Sequence, residues 1–162
     1  MLEGFKKFSA GKDDVELLMI SDGSTKEETL KYISDNNLGS KINFIGRVQN
    51  AELPEYLSAS DVYISTSLSD GTSLSLLEAM ACGLGLIVSD VPAIKEWVSE
   101  ENGITVPRKN SDAVYDALNK YYNNRNLIQK HGGINMAKAK DRANWNKNYL
   151  KLKEIYSKIS KK

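Results

Sequence analysis

The chain has 162 residues, 41% hydrophobic and 27% charged, with a formal net charge of +1. That length fits one domain with a proper core, and acids mixed with bases along it leave no electrostatic footprint for nucleic acid. The single cysteine, Cys82, excludes an internal disulfide and fits a reducing compartment; with no apolar run near the ~20 residues of a membrane span and no signal-peptide pattern, the expectation is a cytoplasmic chain.

In chain order, Leu2, Phe5 and Phe8 stand at helical spacing, with Gly11 as the stop. Val15 to Ile20 is a short run apolar on both faces, the pattern of a buried parallel strand. Thr25 and Glu28 hold the spacing of a capping box for a helix that Gly39 ends. The alternation then repeats: strand Lys41 to Ile45, helix Glu52 to Ser58, strand Val62 to Ser65, helix Ser73 to Cys82 stopped by Gly83. Strand Leu86 to Ser89, helix Ala93 to Val98 and strand Ile104 to Val106 follow, and Ser111 caps a helix running to Tyr122. Two further helices, Leu127 to Lys140 and Asn146 to Ile159, close the chain, the last rich in lysine (Lys147, Lys151, Lys153, Lys158, then Lys161 and Lys162). That lysine run reads as a solvated helix face or as a membrane-facing patch. Strands and helices alternating at this spacing predict one α/β domain over residues 1–162, a Rossmann-like, doubly wound parallel sheet. Such domains begin on a strand, whereas this chain opens on a helix.

Ligands of open α/β sheets bind beyond the carboxyl ends of the strands. The turn there with most to offer is Ser65 to Gly83. Asp70 and Gly71 make a turn, Thr72 or Ser73 caps the helix, and the free amides of Gly71, Thr72, Ser73 and Leu74 form an anion seat at a helix N-terminus. Glu78, on an otherwise apolar helical segment, must be solvated, paired or bonded to hydroxyls, and a ribose diol would satisfy it. The residues equally allow plain turn-and-cap chemistry, with Glu78 capping an amide or pairing with a lysine.

Ile42 to Val48 (INFIGRV), Leu53 to Ser67 (LPEYLSASDVYISTS) and Asp70 to Gly83 (DGTSLSLLEAMACG), followed by VPAIKEWV and NGITVP, resemble in order the C-terminal domain of glycosyltransferase family 4. The third segment resembles the family's E-x7-E signature, with Asp70 and Glu78 as its acids. The resemblance covers nearly the whole chain and implies the C-terminal half of a GT-B fold. It implies that Glu78 takes the ribose hydroxyls, Asp70 the donor-sugar hydroxyls, and the amides of Gly71 to Leu74 the diphosphate or sugar. Gly46 and Arg47 fall where relatives place backbone beside the base, although Arg47 itself reads first as a surface residue and only second as a ligand. The implied activity is transfer of a sugar from a nucleotide diphosphate sugar to an acceptor with retention, at the inner membrane face in some members. It implies no cofactor and no metal, and this sequence has no D-x-D pair. It further implies a first strand and an acceptor-binding domain upstream of Met1, with a basic pair on that strand's turn, so that this chain alone would bind nucleotide weakly and be inactive. The helices from about 125 to 160 would cross to that partner domain.

Two residues depart from the pattern: Asp70 replaces the usual glutamate, and Gly85 a common proline. A GT-B-fold epimerase or phosphorylase, and a non-enzymatic α/β interaction module, are the rival functions. Of the remaining conspicuous residues, His131 reads as a loop or cap histidine and Cys82 as a small buried hydrophobe. Trp97 and Trp145 read as core or interdomain packing, the Tyr121–Tyr122 pair as packing, and Asp22–Gly23 as a turn.

Overall fold

Five parallel strands alternate with eight helices over residues 1–160, which the computed structural model describes; Lys161 and Lys162 of the lysine run lie outside the described residues. Helix α1 (Leu2–Ser9) precedes β1 (Leu17–Met19), and α2 (Lys26–Asp35) precedes β2 (Ile42–Phe44). Then come α3 (Leu53–Ser58), β3 (Val62–Ser65), α4 (Leu74–Ala81), β4 (Gly85–Ser89), α5 (Pro92–Lys95) and β5 (Ile104–Val106). Helices α6 (Ser111–Tyr122), α7 (Arg125–Arg142) and α8 (Trp145–Ile159) complete the order. Every strand pair is parallel, yet the hydrogen bonds divide into two sheets, β1–β2 and β3–β4–β5. Where the sequence predicts one sheet, β1 and β3 remain unjoined.

Strand β4 explains why the fold needs helices on both faces. All five of its residues are buried. Ile87 points into a core with Phe5 and Phe8 of α1, Ile33 of α2 and Val114 of α6, whereas Leu86 and Val88 point into a second core with Leu76 and Met80 of α4, Ile94 and Trp97. Successive side chains of a strand alternate between faces, so an unbroken apolar run requires two covers. This is the Rossmann-like, doubly wound arrangement that the alternation predicts.

Helix α7 packs back on the domain. A Cβ on Gly132 would overlap the Gly83 carbonyl oxygen, so only glycine allows this crossing. One turn later Asn135, fully buried, accepts from the Asn102 side chain at 2.8 Å and donates to the Leu84 carbonyl at 2.8 Å. Helix α8, by contrast, buries no residue, and Trp145, 74% exposed, lies outside this domain's core.

Several local expectations change. His131 is buried inside α7, with Nδ1 2.8 Å from the Tyr121 hydroxyl, because the helix starts early and runs through both glycines of KHGG. Burial, followed by Lys130 and Lys120, pushes its pKa below the usual histidine value. Cys82 is only partly buried, since α4 ends there at the surface. The cap of α6 is Asn110, accepting from the Ala113 N–H, and Ser111 is the first helical residue. Thr25 occupies the cap position of α2 without a side-chain bond, and Asn37, at φ 54°, makes the left-handed turn expected of Gly39. Helix α5 stops at Lys95, short of Val98. Gly85 has a packing reason: a Cβ there would press within 3.2 Å of the Tyr121 ring.

Candidate functional site

A cavity of about 1180 Å³ opens between the two sheets, with Leu18 and Met19 of β1 on one side and Val62 and Ile64 of β3 on the other. At the carboxyl ends of these strands it widens into a polar mouth lined by Ser21, Asp22, Arg47, Thr66, Ser67 and Glu78. Such a gap, with strand connections departing in opposite directions on its two sides, is where open α/β sheets place their ligands.

Glu78 reaches the mouth because α4 starts at the carboxyl end of β3 and buries Leu76, Ala79 and Met80, which turns the third residue of each such set outward. The carboxylate is exposed to solvent. Ser75, one turn earlier on the same face, also lines the cavity. Its Oγ is held 2.8 Å from the Tyr63 hydroxyl and 3.0 Å from Ser73 Oγ. Sequence reasoning misses Tyr63; the signal lies in VYIS, where its hydroxyl-bearing ring alternates with Val62 and Ile64 and so must leave their face.

The remaining predicted residues divide. Arg47 is exposed and lines the same cavity as Glu78, whereas Gly46, buried at φ 83°, shapes the turn before it. Ser73 takes the cap position of α4, but its hydroxyl is spent on Ser75 and makes no bond to the helix amides. Asp70 is half-buried; Gly71, Thr72 and Leu74 are exposed. None of these four lines the cavity, so the turn from Asp70 to Leu74 flanks the mouth instead of forming its wall. Arg108, following β5, steadies the start of that loop through the Leu68 carbonyl at 3.4 Å. Asp22, beyond β1, is 3.9 Å from Lys26. The arrangement offers carboxylate, hydroxyls and one guanidinium around an open mouth, with free helix amides alongside. That set suits a polyhydroxylated, anionic ligand.

Fold and mouth together define an open α/β domain whose cavity opens where the strand order turns about. The chain belongs to the glycosyl transferases group 1 family, whose model matches residues 1–124. It is 29% identical over 150 residues to an uncharacterized glycosyltransferase of Methanocaldococcus jannaschii, covering 91% of this chain and 38% of that protein. Among solved structures, the sucrose-phosphate synthase of Thermosynechococcus elongatus superposes with a TM-score of 0.87 at 24% identity, covering 98% of this chain and 42% of that one. Anabaena HepE, crystallised with UDP, gives 0.87 at 18% identity, covering 97% and 44%. At these identities the likeness shows the fold, the C-terminal half of a GT-B glycosyltransferase. The chain spans less than half the length of the first of these relatives.

Proposed function

We propose that this chain is the donor-binding domain of a retaining hexosyltransferase of the family 4 type, taking a nucleotide diphosphate sugar at the mouth between the sheets. The observation that carries the reading is Glu78, exposed in the lining of a cavity that Arg47 and the hydroxyls of Thr66, Ser67 and Ser75 also line. A carboxylate presented this way accepts from the two hydroxyls of a ribose. The N-terminal amides of α4, from Gly71 to Leu74, stabilise the diphosphate as it leaves, and Asp70 takes hydroxyls of the sugar. HepE, of like fold, was crystallised with UDP and with UDP-glucose, which supports a nucleotide sugar as the ligand.

Acceptor binding falls to a further domain, and the chain alone transfers no sugar. The full protein works in the cytoplasm, peripherally at the membrane where its acceptor is a lipid. Among the described residues no helix is long and apolar enough to cross a membrane. Family membership disfavours an interaction module without enzymatic function.

Thermal unfolding with UDP, GDP, ADP and UDP-sugars, beside Glu78→Ala, tests the reading. A ligand at about ten times its dissociation constant adds roughly 1.4 kcal/mol, which raises the midpoint by about 3–5 °C for a domain of this size. One nucleotide is expected to raise it, and Glu78→Ala to abolish the rise. A rise that survives Glu78→Ala overturns the assignment of the ribose to this residue.

A further inference from the structure

Helix α4 begins without a cap that its own sequence could supply. Ser73 stands at the cap position with φ −70° and ψ 119°, yet its side chain makes no bond to the helix. Asn144 takes nearly the same backbone, φ −70° and ψ 111°, at the start of α8, and there the side chain accepts from the Lys147 N–H. Backbone geometry therefore does not keep Ser73 from the Leu76 N–H, three residues on. The first bond of α4 runs from the Leu77 N–H to the Ser73 carbonyl at 3.2 Å. Among the described residues, the N–H groups of Leu74, Ser75 and Leu76 before it meet no acceptor.

A residue on another element holds the hydroxyl away. Ser73 Oγ lies 3.0 Å from Ser75 Oγ, which in turn lies 2.8 Å from the Tyr63 hydroxyl on β3. A serine hydroxyl bonded on both sides is fixed in one rotamer, and each bond of such a chain polarises the next. Tyr63 and Ser75 line the cavity, whereas Ser73 does not, so the chain ties the flanking turn to the cavity wall. Of the three residues, Tyr63 alone comes from outside the turn. Its ring is carried by β3 and packs, partly buried, against the core that holds Leu76 and Met80. The sheet therefore sets its place. Without the phenol oxygen Ser75 is free to rotate, Ser73 loses a fixed partner, and the bare Leu76 N–H lies within its reach.

We infer that Tyr63 is a positioning residue: through Ser75 it holds the Ser73 hydroxyl off the end of α4 and so leaves the amides there open to the anionic group of the ligand. Where those amides take a diphosphate, as the donor-site reading on which this rests has it, Ser73 and the phosphate oxygens compete for the same donor. Tyr63 settles that competition in the ligand's favour without touching the phosphate itself.

The chain with Tyr63→Phe, with Ser73→Gly and with both, beside the parent, tests this. Phenylalanine keeps the ring and its packing, and glycine is tolerated at a cap while offering no oxygen. Amide hydrogen exchange at Leu76, with no ligand present, reads the cap directly, and Leu86 in β4 is the reference for folding. Tyr63→Phe is expected to slow exchange at Leu76 about fivefold, the size of one capping bond, and the double variant to exchange as fast as Ser73→Gly. Titration with inorganic pyrophosphate and with UDP reads the consequence. Affinity should fall about fivefold in Tyr63→Phe and return in the double variant to the level of Ser73→Gly. Unchanged exchange in Tyr63→Phe overturns the inference, as does slowed exchange with affinity unaltered. So does a double variant that binds as weakly as Tyr63→Phe, because the phenol would then act only as part of the wall. A parent chain that binds neither pyrophosphate nor UDP overturns the donor-site reading and the anion half of this one, while exchange at Leu76 still decides whether Tyr63 restrains the cap.

Discussion

Strands β3 and β4 are similar in sequence and different in circumstance. VYIS and GLIVS are both apolar runs, yet every residue of β4 is buried and every residue of β3 is only partly so. The difference lies in their edges. Strand β4 pairs on both sides and carries a helix layer on each face, whereas β3 pairs on one side and borders a cavity on the other. An apolar strand in a parallel sheet thus states what its surroundings should be, and the number of neighbours decides how far that is met.

The contrast can be broken most forcefully at the closed side. Gly132→Ala places a methyl against the Gly83 carbonyl, where neither backbone can yield cheaply, and should cost about 3 kcal/mol or more in urea unfolding. Leu86→Ala should cost about 3 kcal/mol, as for a fully buried leucine. Leu18→Ala, half-buried at the cavity, should cost under about 1 kcal/mol. Equal costs for those two leucines would erase the distinction between the strands. Tyr121→Phe takes the hydroxyl from the buried Leu86 N–H and from His131, for an expected loss of about 1–2 kcal/mol.

The smallest effect is pH-dependent. Burial depresses the pKa of His131 in the fold, so the unfolded chain takes up the proton first. Its contribution is complete above the unfolded value of about 6.5 and is lost as pH falls from there through the folded value. Urea midpoints at pH 7.5 and pH 5 should therefore fall less for His131→Gln than for the parent chain.

The alternation of strands and helices was legible because apolar runs such as VELLMI and GLIVS differ in period from helices such as the one bearing Phe5 and Phe8. Glu78 was legible as a carboxylate that an apolar helix could not bury. The hydroxyl chain through Tyr63, Ser75 and Ser73 was not, because it joins residues of β3 to the α4 turn and no local spacing encodes that approach. His131 misleads for a related reason. Two glycines after it imitate a helix end, while the reason for one of them, close passage of α7 over Gly83, lies 49 positions away in sequence.

Helix α8 carries the cost of standing without tertiary support. Its apolar residues at 145, 149, 152, 156 and 159 share one face, but none is buried, and it is tied to the end of α7 by Asn148, donating to the Arg142 carbonyl at 2.9 Å, and by Lys147, 3.2 Å from Asp141. A lone helix of 15 residues is marginal in water, so it should open often enough for trypsin to cut there first. Cleavage after Lys147, Lys151, Lys153 or Lys158 would then shed the tail, while the domain ending at α7 stays resistant.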